Sequence, residues 1–430
     1  MRTEPISREE FSTAMRLFGA FERQPHICVA VSGGGDSMAL AILADAWARN
    51  LEGRVSALIV DHGLRTESSA EASLTAERLS RLGIEAHILS WRGSKPKTGV
   101  QSAARRARYE LLDQWCRDNG VLHLLVAHHA DDQAETFVMR LQRGSGPDGL
   151  AAMAPVRELH ACRLLRPLLG FQKDRLLAVL RASAVDWIED PSNFDPKYAR
   201  SGVRAQLSAS DADIMGIGQA ARRFARARAA LENHTSDWMA RYAVLDPAGY
   251  LALDHAAFQT MDDEIRLRVL SRAALAIGGK TYPLSIASLE RLAQGLAEGR
   301  GATLGSARFH MKTGMIHVYR EARNLPEPLP LSPGVMHWDG RFVITRRAGD
   351  DGRSDRMTVK PWSLEIDQAW PKSTRPDWLC GLPAAARFSL PVICTDDVMQ
   401  VPKPGQDENI GISVRFQPTI PMSGGGFTVA

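Results

Sequence analysis

The feature that most narrows the folds open to this chain is a short apolar run that stops at three glycines and restarts as a helix. Residues 27–37 read ICVAVSGGGDS and lead straight into MALAILADAWA. Glycine weakens strands and helices alike, so three in a row at their junction mark a backbone that has to stay bare. Such a turn lets N–H groups close on an anion, and the open N–H groups and dipole of the next helix add to the attraction. Ser32, Gly33, Gly34, Gly35, Asp36 and Ser37 are therefore expected to bind phosphate, with both serine hydroxyls as donors, rather than to form a merely flexible turn. Asp36 would repel phosphate unless a divalent cation lay between them, so it is the expected Mg²⁺ ligand. A chance match to SGGxDS in a chain of this length is on the order of 10⁻³ or rarer. A Walker A loop is excluded, because that loop needs a lysine and Ser/Thr after its last glycine. The lax copy ALAIGGKT (274–281) follows a helical run and is soon followed by Pro283, so Gly278 and Gly279 read as a helix stop.

The loop sits in a regular context. Apolar runs at 27–31, 55–60, 84–89 and 121–127 alternate with helix-like segments near 36–48, 68–82, 100–119 and 132–142. That alternation predicts an α/β domain with a Rossmann-like parallel sheet covered on both faces. Ligands of such sheets bind beyond the carboxyl ends of the strands. SGGGDS, DHGLR and AHHADD each follow a strand candidate directly, which places Asp61 and His62 beside the nucleotide. Residues from about 205 to 320 have helical periodicity. RNLPEPLPLSP (323–333) reads as a stiff linker, and short alternating runs such as RFVITRR predict a small β-rich end.

Several function classes drop out on composition. Five scattered cysteines without a CxxC pair point to reduced thiols in a cytoplasm, not to a disulfide framework or zinc ribbon. No apolar run approaches the ~18 residues of a membrane span, and MRTEPISREEF lacks the apolar stretch of a secretory leader, so no membrane partner is expected. The net charge of +4 decides little by itself. The placement of arginines says more. Arg105 and Arg108 share a helical face beside Tyr109, Arg200 and Arg204 are four apart, and Arg222, Arg223, Arg226 and Arg228 crowd one helix. Each cluster is suited to phosphate, and each also suits a solvated helix face.

Acidic residues gather at one helix start. Asp131, Asp132 and Glu135 follow AHH, and Asp131 and Glu135, four apart, share a face. Such a cluster serves as a helix N-terminal cap or as a grip on a cationic substrate. His128 and His129 are adjacent on an extended segment and point oppositely, so one is expected to line the site and the other to pack elsewhere.

SGGGDS resembles the PP-loop of the N-type ATP pyrophosphatases, which split ATP between its α and β phosphates. The following stretches narrow the likeness. VDHGLR (60–65), ARRARY (104–109), AHHADDQAETFVMRLQRGSG (127–146), GLAAM (149–153), LLRPLL (164–169) and WIEDPSN…YARSGVR (187–204) come in that order. The set resembles the tRNA(Ile)-lysidine synthetase family, strongly over residues 27–204 and only in general layout beyond. The resemblance implies that free L-lysine is attached to C2 of the wobble cytidine of a CAU-anticodon tRNA(Ile), through an adenylated tRNA. ATP is then the co-substrate, and AMP and pyrophosphate are products.

On that basis Asp36, Asp131, Asp132, Glu135 and Arg204 are the expected catalytic set, with Asp131 and Glu135 gripping or deprotonating the lysine amine. Arg105, Arg108, Arg200, Arg222 and Arg226 are expected on tRNA. The implied domains are a catalytic PP-loop domain (1–208), a mainly helical tRNA-binding domain (209–325) and a β-rich C-terminal domain (334–430); a homodimer is compatible with the sequence. Two positions depart from the family pattern. Gln101 stands where a glutamate is usual, and Arg200-Ser201-Gly202 replaces an Arg-Asn pair. The rival within enzymes is another PP-loop tRNA-modifying protein such as a 2-thiolase, disfavoured by the missing CxxC. A small-molecule ligase would not need the arginine-rich middle, and a degenerate RNA-binding module would not keep Asp36, Ser37 and DDxxE.

Overall fold

In the computed structural model the apolar runs form a parallel sheet, with successive side chains feeding two different cores. Described are residues 3–93, 95–96, 98–188, 199–209, 212–347, 357–395, 399–406 and 411–422, apart from the side chains of residues 199, 200 and 208. The chain divides into two units, residues 1–226 and 227–430.

The first unit contains α1 (Arg8–Arg16), β1 (His26–Val31), α2 (Gly35–Arg49), β2 (Arg54–Asp61), α3 (Ser68–Arg81), β3 (Glu85–Ser90), α4 (Val100–Asp118), β4 (His123–Leu125), α5 (Ala130–Gln142), α6 (Pro147–Leu150), β5 (Val156–Glu158), β6 (Arg163–Leu165), α7 (Lys173–Ala182) and α8 (Ala199–Ala209). Helix α9 (Ile214–Tyr242) begins in this unit and ends in the next. The sheet order is β3-β2-β1-β4-β6-β5, parallel except for β5, which runs antiparallel on the edge. Val29, Val31, Ile59 and Leu125 pack with Met38 and Leu40 of α2 and Leu176 and Leu180 of α7. Cys28, Leu58 and Leu124 point the other way, onto Leu112 and Cys116 of α4. Both faces are thus buried, which is why the strands read as continuous apolar runs. The strand after β1 pairs on one side of it and β4 pairs on the other, so a crevice opens at their carboxyl ends. SGGG leaves β1 there, and AHHADD leaves β4.

The second unit contains β7 (Ala243–Asp246), β8 (Tyr250–Asp254), α10 (His255–Gln259), α11 (Asp263–Gly278), α12 (Ile286–Ala297), β9 (Ala302–Leu304), β10 (Ala307–Lys312) and β11 (Met315–Arg320). After them come β12 (Leu329–Pro330), β13 (Gly334–Trp338), β14 (Phe342–Arg346), β15 (Thr358–Pro361), α13 (Leu364–Ala369), α14 (Asp377–Cys380), α15 (Ala384–Arg387), β16 (Pro391–Cys394), β17 (Met399–Gln400) and β18 (Ile412–Phe416). The block expected to be mainly helical also carries an antiparallel sheet in the order β7-β8-β11-β10-β9. Its strands are at most six residues long, so their alternation was submerged beneath the helical pattern. α11 does stop at Gly278, capped by Gly279 at φ +66°, where a Cβ would lie 2.1 Å from the Asp339 carbonyl.

The proline-rich stretch is less free than a linker. Leu329–Pro330 pairs with β15, and Leu331 is 1% exposed in the core formed with two small antiparallel sheets, β12-β15-β16-β17 and β13-β14-β18. The arginines near the alternating runs are likewise committed. Arg341 is fully buried against Asp339, burial holding its pKa down to about 10, and Arg346 donates to the Leu331 carbonyl at 2.6 Å. No helix among the described residues is long and apolar enough to cross a membrane.

Candidate active site

Only the first of the three loop glycines is demanded by the protein itself, the second meeting no close neighbour and the third only the movable tip of a leucine side chain. Gly33 has φ +85°, and a Cβ there would lie 2.5 Å from Thr75 Oγ1. A Cβ on Gly35 would lie 2.8 Å from Leu177 Cδ2. A Cβ on Gly34 would meet nothing nearer than 3.6 Å, so its bareness has no steric cause within the chain. The turn is pinned by the Ile188 N–H donating to the Gly33 carbonyl at 2.9 Å and by the Ser37 hydroxyl donating to the Gly34 carbonyl at 2.9 Å. Ser37 Oγ also accepts from the Ser32 N–H at 3.1 Å and lies 3.2 Å from Ser32 Oγ. Ser37, expected as a phosphate donor, is therefore buried and already spent on the loop, while Ser32 is exposed. α2 starts without a side-chain cap, which leaves its first N–H groups to an outside anion.

Across the crevice, His129 stands where the carboxylates meet. It is 2% exposed, with Nε2 3.5 Å from both Asp36 Oδ2 and Asp132 Oδ2, and Nδ1 3.3 Å from Asp131 Oδ2. Burial by itself would lower its pKa. Asp131, Asp36 and the charge of Asp132 outweigh burial and push it up to about 10, so the ring is an imidazolium at neutral pH. Burial would likewise raise Asp131, but His129 and the Lys173 backbone N–H, which donates at 2.9 Å, hold that carboxyl below the usual range. Asp132 closes a capping box by accepting from the His129 N–H at 3.1 Å. His128 turns away as expected and accepts from Arg166 Nε at 3.2 Å.

Glu135 and Asp131 share a helix face, yet each has its own protein partner. Glu135 is 1% exposed and accepts from Arg204 Nε at 2.6 Å. Burial works against the Arg204 cation, but Glu135, with the charges of Asp132 and Asp36 behind it, keeps it firmly protonated. Asp36 faces His129 through Oδ2, while its Oδ1 is buried with no hydrogen-bond partner among the described residues. A buried anionic oxygen without a donor is costly. Mg²⁺ is characteristically held by one or two carboxylates together with phosphate oxygens. Asp36 Oδ1, at the N-terminus of α2, fits that donor set.

The DHGLR turn is built differently. Asp61 accepts from the Gly63 N–H at 2.8 Å and from the hydroxyls of Ser68 and Ser69, the two serines chiefly depressing its pKa. His62 is neutral, its pKa lowered by burial and then by the Arg108 charge, with its Nδ1 unpartnered among the described residues. Arg105 and Arg157 lie 5.3 and 5.7 Å from the Tyr109 ring centroid. Arg222 and Arg226 are exposed on α9. The side chain of Arg200 lies outside the described residues. Asp36, Asp131, Asp132, Glu135 and Arg204 are thus gathered into one cluster through His129 and the Glu135–Arg204 pair. The sequence expected one of His128 and His129 to line the site without saying which or in what role; the signal was available, because a histidine preceding two aspartates at a helix start is placed to be their counter-ion.

A bare glycine turn between the first strand and first covering helix of a parallel sheet, with carboxylates at the same strand ends, has the features of the PP-loop class. The PP-loop domain family ATP_bind_3 matches residues 7–210. Among curated proteins, the tRNA(Ile)-lysidine synthase of Bradyrhizobium diazoefficiens is 41% identical over 315 residues, 70% of this chain and 86% of its own. That of Ruegeria pomeroyi is 38% identical over 84% of this chain and 86% of its own, and that of the Wolbachia of Brugia malayi 34% identical over 90% of each. The chain belongs to the tRNA(Ile)-lysidine synthase family, the family its ordered motifs resemble.

Proposed function

We propose that the chain joins free L-lysine to C2 of the wobble cytidine of a CAU-anticodon tRNA(Ile), using ATP in two steps. In the first, the C2 oxygen attacks the α-phosphorus, the bond to the β-phosphate breaks and pyrophosphate leaves. In the second, the lysine ε-amine attacks C2, the C2–O bond breaks and AMP leaves, while the nitrogen gives up a proton. The observation that carries this reading is Asp36 Oδ1, buried and without a hydrogen-bond partner among the described residues, at an uncapped helix N-terminus behind a bare glycine turn.

In this reading the α2 N–H groups and Ser32 hold pyrophosphate, and Asp36 holds Mg²⁺, which supplies positive charge against the phosphates. Asp61 orders the turn that brings His62 to the nucleotide. Lysine is cationic at neutral pH, because a solvated ε-amine titrates at about 10.4. Asp131 and Asp132 attract that cation, and one of them takes the proton as the amine becomes a nucleophile. Glu135 is too deep to grip lysine and acts by orienting Arg204 towards charge that builds on the adenylate. Arg105, Arg108, Arg222 and Arg226 suit tRNA phosphates, which position a substrate without reading it. Thiolation is the weaker alternative, since Cys28, Cys116 and Cys162 of the first unit are all buried.

The test is transfer of radiolabelled lysine to a CAU tRNA(Ile) transcript, with and without ATP–Mg²⁺, with a CAU methionine tRNA as control. Labelling of the isoleucine tRNA alone, dependent on ATP, is expected. A folded, ATP-binding protein that labels neither would sink the lysine assignment.

A further inference from the structure

Helix α5 carries three carboxylates of the crevice, yet apolar packing does little to hold it. The residues it buries are Ala130, Gln133, Ala134 and Glu135, so its buried apolar side chains are two alanines. Among the described residues it contributes nothing to the four hydrophobic cores. Phe137, in its second half, meets Phe224 of α9 at a ring separation of 6.2 Å.

The back of the helix is held by a strap of main chain. Gln133 and Arg140 are two turns apart, and at about 100° per residue both face away from Asp131 and Glu135. Gln133 is buried; its Nε2 donates to the Met153 carbonyl at 3.0 Å, and its Oε1 accepts from the Met153 N–H at 2.7 Å. Arg140 Nη1 donates to the carbonyls of Gly149 at 2.8 Å and Ala152 at 3.0 Å. Ala152 has φ +49°, a left-handed conformation that an L residue keeps where its surroundings hold it. β5 runs antiparallel to β6 with Val156 opposite Leu165, so residues 149–155 lie at the carboxyl end of the sheet. Arg166, the residue after β6, ties them down there. Its Nη1 donates to the Ala154 carbonyl at 2.6 Å and its Nε to His128 Nδ1 at 3.2 Å. His128 adjoins His129, so the chain of bonds returns to the carboxylate cluster.

We infer that Gln133 is a positioning residue for that cluster. By pairing both ways with one peptide group of a strap fixed to the sheet, it sets the rotation of α5 about its axis. That rotation places Asp131 and Asp132 relative to Asp36 across the crevice. An apolar contact in its place would secure burial but not rotation, because apolar attraction has no direction. A turn of about 10° moves an atom at the helix surface, about 5–6 Å from the axis, by about 1 Å. A misplacement of that size costs about a hundredfold in rate. The inference rests on the reading of Asp131 and Asp132 as the groups that take lysine; Gln133 itself touches no substrate.

The experiment compares steady-state lysine transfer by the full chain and its Gln133→Leu variant. Expected is a kcat lowered about ten- to a hundredfold, with KM for ATP and for tRNA within about twofold of the parent. Arg140→Met frees the same strap, should show the same pattern, and serves if Gln133→Leu does not fold. Leu112→Ala, which opens the core on the other face of the sheet, should melt lower with kcat unchanged. Strap variants that keep the parent kcat, or lose activity only in proportion to their unfolded fraction, overturn the inference. The ring NMR signals of His129, assigned with His129→Gln, read the cluster directly. They should shift in Gln133→Leu, and unmoved signals overturn the inference whatever the activity of the parent. A parent that labels no tRNA while these signals shift removes only the lysine reading. An active parent with an unaffected Gln133→Leu variant removes only this inference.

Discussion

Glu135 accepts from Arg204 Nε at 2.6 Å, and the glutamate side chain is 1% exposed where the arginine side chain is 37% exposed. Removing one member of a buried ion pair deprives the other of that counter-charge. Arg204→Met is therefore expected to cost about 2–3 kcal/mol, below the full range for buried pairs because the arginine is partly solvated. Adding Glu135→Gln should return at least about half of that loss in urea unfolding. A double variant as unstable as the sum of the two singles would show that the pair is not coupled.

Asp36→Asn is expected to lower lysine transfer by about a hundredfold or more, far beyond its effect on stability, the chain remaining folded at the assay temperature. Its Oδ1 makes no hydrogen bond among the described residues, but its Oδ2 lies 3.5 Å from His129 Nε2 and helps to hold that imidazolium, so some stability is lost with the charge. Isothermal titration with ATP–Mg²⁺ should show weaker binding for this variant. Unchanged binding would detach Asp36 from the cation.

Gly33→Ala combines an unfavourable φ of +85° with a Cβ 2.5 Å from Thr75 Oγ1. The expected cost is about 1–3 kcal/mol together with loss of ATP binding. Thr75→Ala in the same chain relieves the contact but not the dihedral, so stability should recover in part. Complete recovery would show that the contact alone excludes a side chain.

The His129 pKa is raised from 6.5 to about 10. A histidine shifted upwards binds a proton more tightly folded than unfolded, so its stabilisation is complete below about pH 6.5 and fades as pH climbs towards 10. In metal-free buffer the melting-temperature gap between parent and His129→Gln should narrow over that window. A gap constant from pH 6 to 10 would mean that the imidazole is neutral throughout. Asp131 has the opposite sign: its depressed pKa gives stability that is present at neutral pH and lost in acid.

Arg222→Glu with Arg226→Glu is expected to raise the KM for tRNA with little change in kcat, and to reduce the salt slope of tRNA binding by about one per arginine. Filter binding across a salt series checks this. An unaltered slope would return these residues to an ordinary solvated face.

The parallel sheet was legible because strands buried on both faces are unbroken apolar runs, and Val29 and Cys28 serve opposite cores. β5 and β6, three residues each, carry no periodicity of their own and were not legible. Nor was the sheet of β7–β11, whose half-buried strands lie among stronger helical signals. In the site, the sequence placed Asp131 and Glu135 on one face correctly. It had no means of showing that Lys173, 42 residues away, donates to the first, or that Arg204, 69 residues away, neutralises the second. Shared faces follow from helical pitch, whereas partners follow from the tertiary fold.

Asp131 accepts from the Lys173 N–H, the first residue of α7, and α7 packs against α2 through the core. Under the proposed function, a lysine amine held by Asp131 would share the carboxylate with that backbone proton and weaken its hydrogen bond. Substrate in the crevice would then be felt at the first turn of a helix 42 residues along the chain, and deuterium uptake at the Lys173 amide would gauge whether lysine is bound.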